Sequence, residues 1–186
     1  FIGKRRIELA QSVLALFYEA EDAIAAIRHP FSYVSEGKSR ERRQGESTEE
    51  SEALDQAWVA FERYQKREQL FSQLQSTRYQ FMAAFGPDSA APFNELNAVV
   101  NEILLAARQL PRYWQDRGRT PMNDEDRQAY LEKLEKLEAT FWWAGEDDPI
   151  VARVKSAVAQ VEAVVRNEIA VTKRTRLGKK SSLPQS

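Results

Sequence analysis

Histidine occurs once in this chain, as His29, and cysteine does not occur at all. Those two counts decide most of what the side chains could do. Without cysteine there are no disulfides, no thiolate nucleophile and no thiolate metal ligand. A dinuclear iron or manganese centre needs inward glutamates and two Glu-x-x-His motifs, because imidazoles and carboxylates must converge on the metals from adjacent turns. The residue three before His29 is Ala26, so that motif is absent, and haem ligation by paired histidines fails with it. A serine nucleophile would have only His29 as its base. Carboxylate pairs such as Asp147/Asp148 and Glu49/Glu50 stand where helix starts collect acids anyway. Neither Gly-x-x-x-x-Gly-Lys-Ser/Thr nor Gly-x-Gly-x-x-Gly occurs, so nucleotide binding has no support. The expectation is a non-enzyme with no catalytic, cofactor-binding or metal-ligating residues, in which His29 packs or caps at a helix end.

Charge clusters and aromatic pairs are the remaining candidates. Lys38, Arg40, Arg42 and Arg43 alternate with Glu36, Glu41 and Glu46, which cancel much of their field, so this stretch reads as a solvated loop. Lys173, Arg174, Arg176, Lys179 and Lys180 are uninterrupted by acids. They either complement the dipole at a helix C-terminus or bind acidic lipid or nucleic acid. At the other end Phe1 and Ile2 precede Lys4, Arg5 and Arg6. Apolar then basic is the order at the cytoplasmic end of a membrane span, so these five residues are expected to be membrane-proximal, below an upstream anchor. Tyr113/Trp114 and Trp142/Trp143 are adjacent pairs. Neighbours on a helix point about 100° apart, so one member of each pair should be partly exposed and available to a partner.

The elements that must position these residues are helices. Apolar side chains recur at steps of three and four over nearly the whole chain, most clearly in Val151, Val154, Val158, Val161, Val165 and Ile169. The spacing predicts a first helix over about 3–28, ended by His29-Pro30. A polar loop follows over about 30–50, expected to be mobile. A second helix is predicted from about Ser51 to Phe85, capped by Thr48 or Ser51. It would be long enough to project or kink, because Gln65 to Gln69 interrupt its apolar face. Gly86-Pro87 ends it. A third helix runs from about Pro92 and is ended or bent at Pro111. Asn123 caps a fourth, and Asp148-Pro149 starts a fifth. Residues 1–176 then form one domain and 177–186 a flexible basic tail.

These elements specify an all-α fold, an up-and-down antiparallel bundle of about five helices with a long loop after the first. At 186 residues, with 42% hydrophobic and 30% charged residues, the chain can bury a core without staples. A net charge of −1 gives no global attraction to nucleic acid, which is disfavoured as a partner. The functional expectation is a domain acting through protein–protein contacts or self-association, on the cytoplasmic side of a membrane-anchored protein, with an acidic membrane surface as a further contact. Two rivals stand beside it: a ligand-sensing bundle with an aromatic-lined pocket, and association with nucleic acid or acidic lipid through the C-terminal basic segment.

Overall fold

A computed structural model describes residues 2–116, 120–145 and 147–180, with side chains described only between 3 and 172. The regular structure among the described residues is all helical, with no strand. Among the described residues six α-helices occur rather than about five: α1 (Ile2–Ile27), α2 (Thr48–Gln65), α3 (Glu68–Phe85), α4 (Ala91–Gln115), α5 (Asp124–Phe141) and α6 (Pro149–Lys180). A 3-10 turn over Pro87–Ala90 leads into α4.

The extra helix comes from the polar interruption at 65–69. The long second helix predicted there is broken at Lys66 and Arg67, where the Arg67 N–H bonds the Tyr64 carbonyl at 2.8 Å and tightens the last turn of α2. With no apolar side chain to bury at that point, nothing holds the chain straight. The cap of α2 is Ser47, whose hydroxyl accepts from the Glu50 N–H, one residue before the predicted Thr48. Pro111 lies inside α4, which continues to Gln115. Asn123 caps α5 through the Asp126 N–H, as its position implied. Helix α6 runs four residues past the predicted stop at Arg176, to Lys180, and residues 181–186 of the expected tail lie outside the described residues.

The chain groups into two compact units, each assembled from separate stretches. One takes the described residues of 1–21, 70–96 and 153–186. Its core holds Phe17 edge-on to Phe93 at 4.9 Å between ring centres and Phe81 at 5.5 Å from Phe93. The predicted valine row is buried there, with Val154, Val158, Val161 and Val165 all in the core. At its margin the Arg6 guanidinium pairs with both carboxylate oxygens of Glu168, at 3.1 and 2.6 Å, and lies over the Phe85 ring.

The other unit takes 22–69 and 97–152. Arg28, 1% exposed, sits in it and donates to the carbonyls of Ala139, Thr140 and Trp142 at the end of α5. The same guanidinium bonds the Asp148 carboxylate at 2.9 Å. Asp148 in turn caps α6 by accepting the N–H groups of Ile150 and Val151, as the Asp-Pro signal implied. One buried ion pair therefore closes one helix and opens the next.

Candidate functional site

The second unit carries the feature with the most chemistry, residues 28–47 between α1 and α2. The expectation for this stretch was a mobile, solvated loop. It is instead tied to α2 along its length. Asp55 is buried and accepts Lys38 at 3.2 Å, Arg40 at 3.1 Å and Arg42 at 2.9 Å. Arg40 also forks onto both oxygens of Glu46, at 2.8 and 2.6 Å. Glu62 accepts the backbone N–H groups of Gly37 and Ser39 and the Ser39 hydroxyl, which itself accepts from the Trp58 indole. Lys38, Arg40 and Arg42 are thus specific partners of Asp55 on α2, 13 to 17 residues away in sequence, and Arg40 also pairs with Glu46 inside the loop.

Electrostatics follow the geometry. The Arg63 hydrogen bonds hold the Glu36 carboxyl down at about 2, and the Arg40 hydrogen bond does the same for Glu46. Burial pushes Asp55 up, but hydrogen bonds from Lys38, Arg40 and Arg42 pull it below the usual carboxylate range. Backbone geometry is equally constrained. Gly37 has φ +79°, and a Cβ there would collide with the Asp55 carbonyl oxygen, so only glycine lets the loop lie this close to α2.

Arg63 of α2 fixes the start of the loop. All five of its donors are used: two on Glu36, and one each on the carbonyls of Ala26, His29 and Phe31. It thereby satisfies carbonyls that the end of α1 leaves without a helical partner. His29 is exposed and its Nδ1 accepts the Phe31 N–H at 3.3 Å, a local turn of the kind expected for a histidine at a helix end. A cavity of about 510 Å³ opens here, walled by His29, Phe31 and Tyr33 on the loop and by Arg63, Lys66 and Arg67 where α2 ends.

What this strapping displays is apolar. Phe31, Tyr33 and Val34 are 79%, 80% and 94% exposed. They fall outside the adjacent aromatic pairs that helical spacing singles out. The signal was present as three large apolar side chains in a stretch with no helical period, where no core face could take them. Of the predicted pairs, Trp143 is 55% exposed while Trp142 stacks on Trp114 at 5.3 Å, but α5 ends at Phe141, so this split arises beyond the helix and not from helical spacing. Tyr113 and Trp114 are both half-buried.

Those of the other predicted residues that are described belong to the first unit. Phe1 lies outside the described residues, and Ile2 and Lys4, Arg5 and Arg6 lie in the first turns of α1, where Lys4 faces Glu8 at 3.6 Å and Arg6 is held by Glu168. Lys173, Arg174, Arg176, Lys179 and Lys180 fall in the last turns of α6, with their side chains outside the described residues. Among the described residues no group of three or more His, Asp or Glu side chains could hold a metal ion. None of the described helices is long and apolar enough to cross a membrane.

Comparison with known proteins gives no matching protein family, no matching curated protein and no matching solved structure.

Proposed function

We propose that this chain is a non-enzymatic interaction domain, an up-and-down helical bundle that acts through protein–protein contacts at the loop joining α1 and α2. A single observation carries the reading. Three large apolar side chains within four residues, Phe31, Tyr33 and Val34, are held in water by a loop pinned through buried Asp55 and Arg63 and half-buried Glu62. Exposed apolar side chains singly need no explanation, but a cluster on a fixed backbone is what a contact surface requires. A fixed loop loses little conformational entropy when a partner docks, so most of the contact energy appears as affinity. Ion pairs that fix the loop while leaving its tip apolar support display rather than catalysis.

The test is purification of the native protein under mild conditions beside a Phe31→Ser, Tyr33→Ser, Val34→Ser variant. Wild type is expected to elute with a partner, or as a self-assembly, at a mass above the monomer. The variant is expected to elute as the monomer with unchanged helicity and melting temperature. Identical elution of the two proteins contradicts the reading. Release of both by detergent alone points to a membrane surface instead.

A further inference from the structure

The contact face is not uniformly apolar, and its charge identifies the chemistry of what it meets. The cavity beside the tip contains three cations and one acid among its walls: Arg63, Lys66 and Arg67 against Glu36. Arg63 and Glu36 neutralise each other through two hydrogen bonds of 2.9 and 2.8 Å. Among the described residues Lys66 has no ion-pair partner, and it is exposed. Its field reaches Glu36 and Glu62, but both carboxylates already accept hydrogen bonds on each oxygen. Arg67 is anchored by one donor on the Arg63 carbonyl at 3.3 Å, and no carboxylate among the described residues matches its charge. Arg67 is therefore an unmatched cation and Lys66 one only partly offset, by Glu62; both line, with the Phe31 and Tyr33 rings, a cavity of about 510 Å³.

We infer that this cavity receives an acidic peptide segment of a partner protein, with a carboxylate between Lys66 and Arg67 and an adjacent aliphatic or aromatic side chain against Phe31, Tyr33 and Val34. The inference rests on the reading of the loop as a contact face and deepens it by stating the partner's chemistry. Charge complementarity supplies the sign: a basic segment would meet unmatched Arg67 and the partly offset Lys66, and like charges brought together at an interface are repelled. The aromatic wall supplies the second requirement, because a carboxylate alone would leave the Phe31 and Tyr33 rings in water. Arg67, a fixed guanidinium, can fork onto the carboxylate, whereas Lys66 acts as a point charge.

His29 makes this testable without knowing the partner. It lines the cavity and is the chain's one histidine, so the imidazole C2–H resonance of untagged protein reports this site alone. Three capped peptides serve as probes: Glu-Leu-Glu-Phe-Glu, Lys-Leu-Lys-Phe-Lys and Glu-Gly-Glu-Gly-Glu. At constant pH the first is expected to shift the resonance saturably at concentrations up to about 1 mM, and the other two to leave it in place. Lys66→Gln with Arg67→Gln should weaken binding about tenfold, more at low salt than at high, with an unchanged melting temperature. Phe31→Ser should weaken it comparably.

The inference is overturned if the lysine peptide binds as well as the acidic one, if the glycine peptide binds as well as the leucine–phenylalanine one, or if no peptide gives a saturable shift. It is also overturned if the protein sediments with phosphatidylserine vesicles but binds no peptide. In each of these cases the co-elution test above can still succeed, so failure of the charge assignment is distinguishable from failure of the contact face.

Discussion

Arg28 and Arg63 solve the same problem at two places. A helix end leaves carbonyl groups without partners, and a buried carbonyl without a partner is costly. Arg28 takes the carbonyls of Ala139, Thr140 and Trp142, and Arg63 takes those of Ala26, His29 and Phe31. Each guanidinium is then neutralised by one acid, Asp148 or Glu36. Removing one partner of so buried a pair leaves the other charged and unsatisfied. Arg28→Met should therefore lower the unfolding free energy by about 3–5 kcal/mol, read as a lower urea midpoint at an unchanged slope. Asp148→Asn keeps an acceptor for the α6 cap and should cost less. Glu36, Glu46, Asp55 and Asp148 all have folded-state values below the ordinary carboxylate range, the first two at about 2. A depressed folded value means that the unfolded chain binds the proton first. The stability these four acids contribute is complete above about pH 5 and is lost as pH falls from there toward 2. The melting temperature should accordingly be flat from neutral pH to about 5 and drop steeply below about 4. An acid profile that stayed flat to pH 3 would show that the pairs contribute nothing to the fold.

At the scale of elements, the helices and the loop differ in how their order arises. The valine row of α6 is buried, so Val158→Asp would set a charge in the core and should unfold the chain or destabilise it by about 3–5 kcal/mol in thermal denaturation. Gly37→Ala acts differently. Its φ of +79° and the Asp55 carbonyl both oppose a side chain, so stability should fall by about 1–3 kcal/mol. Limited proteolysis should find the wild-type loop resistant and the Gly37→Ala loop cut near Lys38 to Arg43. Equal resistance would mean that the glycine is dispensable. These two elements also mark what could be read in the sequence. The helix stripe, the Asn123 and Asp148 caps and the stop at His29-Pro30 were legible because each is set by neighbours within about four residues. The strap was not legible, because Arg40 meets Asp55 and Gly37 meets Glu62 across 15 and 25 positions. No local pattern distinguishes a paired charge from a solvated one. The break between α2 and α3 lies between these cases: the polar run at 65–69 showed where the stripe failed, but not that the helix would end there.

Across the whole molecule, a net charge of −1 coexists with strongly local charge, and function has to be sought in that locality. The acids and bases of the loop are mostly consumed in holding it, while the cations at the end of α2 and the three apolar side chains at the tip remain available to a partner. The helices supply the frame for that surface, and no arrangement among the described residues competes with it for exposed apolar side chains on a pinned backbone. The central claim is that Phe31, Tyr33 and Val34 touch another protein in the cell. A photoreactive amino acid at Val34 tests it most directly, with the same residue at exposed Lys133 of α5 as a control. Irradiation of cells making the full-length protein should give a discrete cross-linked product from position 34 and none from 133, and Phe31→Ser should abolish it without lowering the melting temperature. No cross-link at 34, or equal cross-linking at 133, would contradict the account.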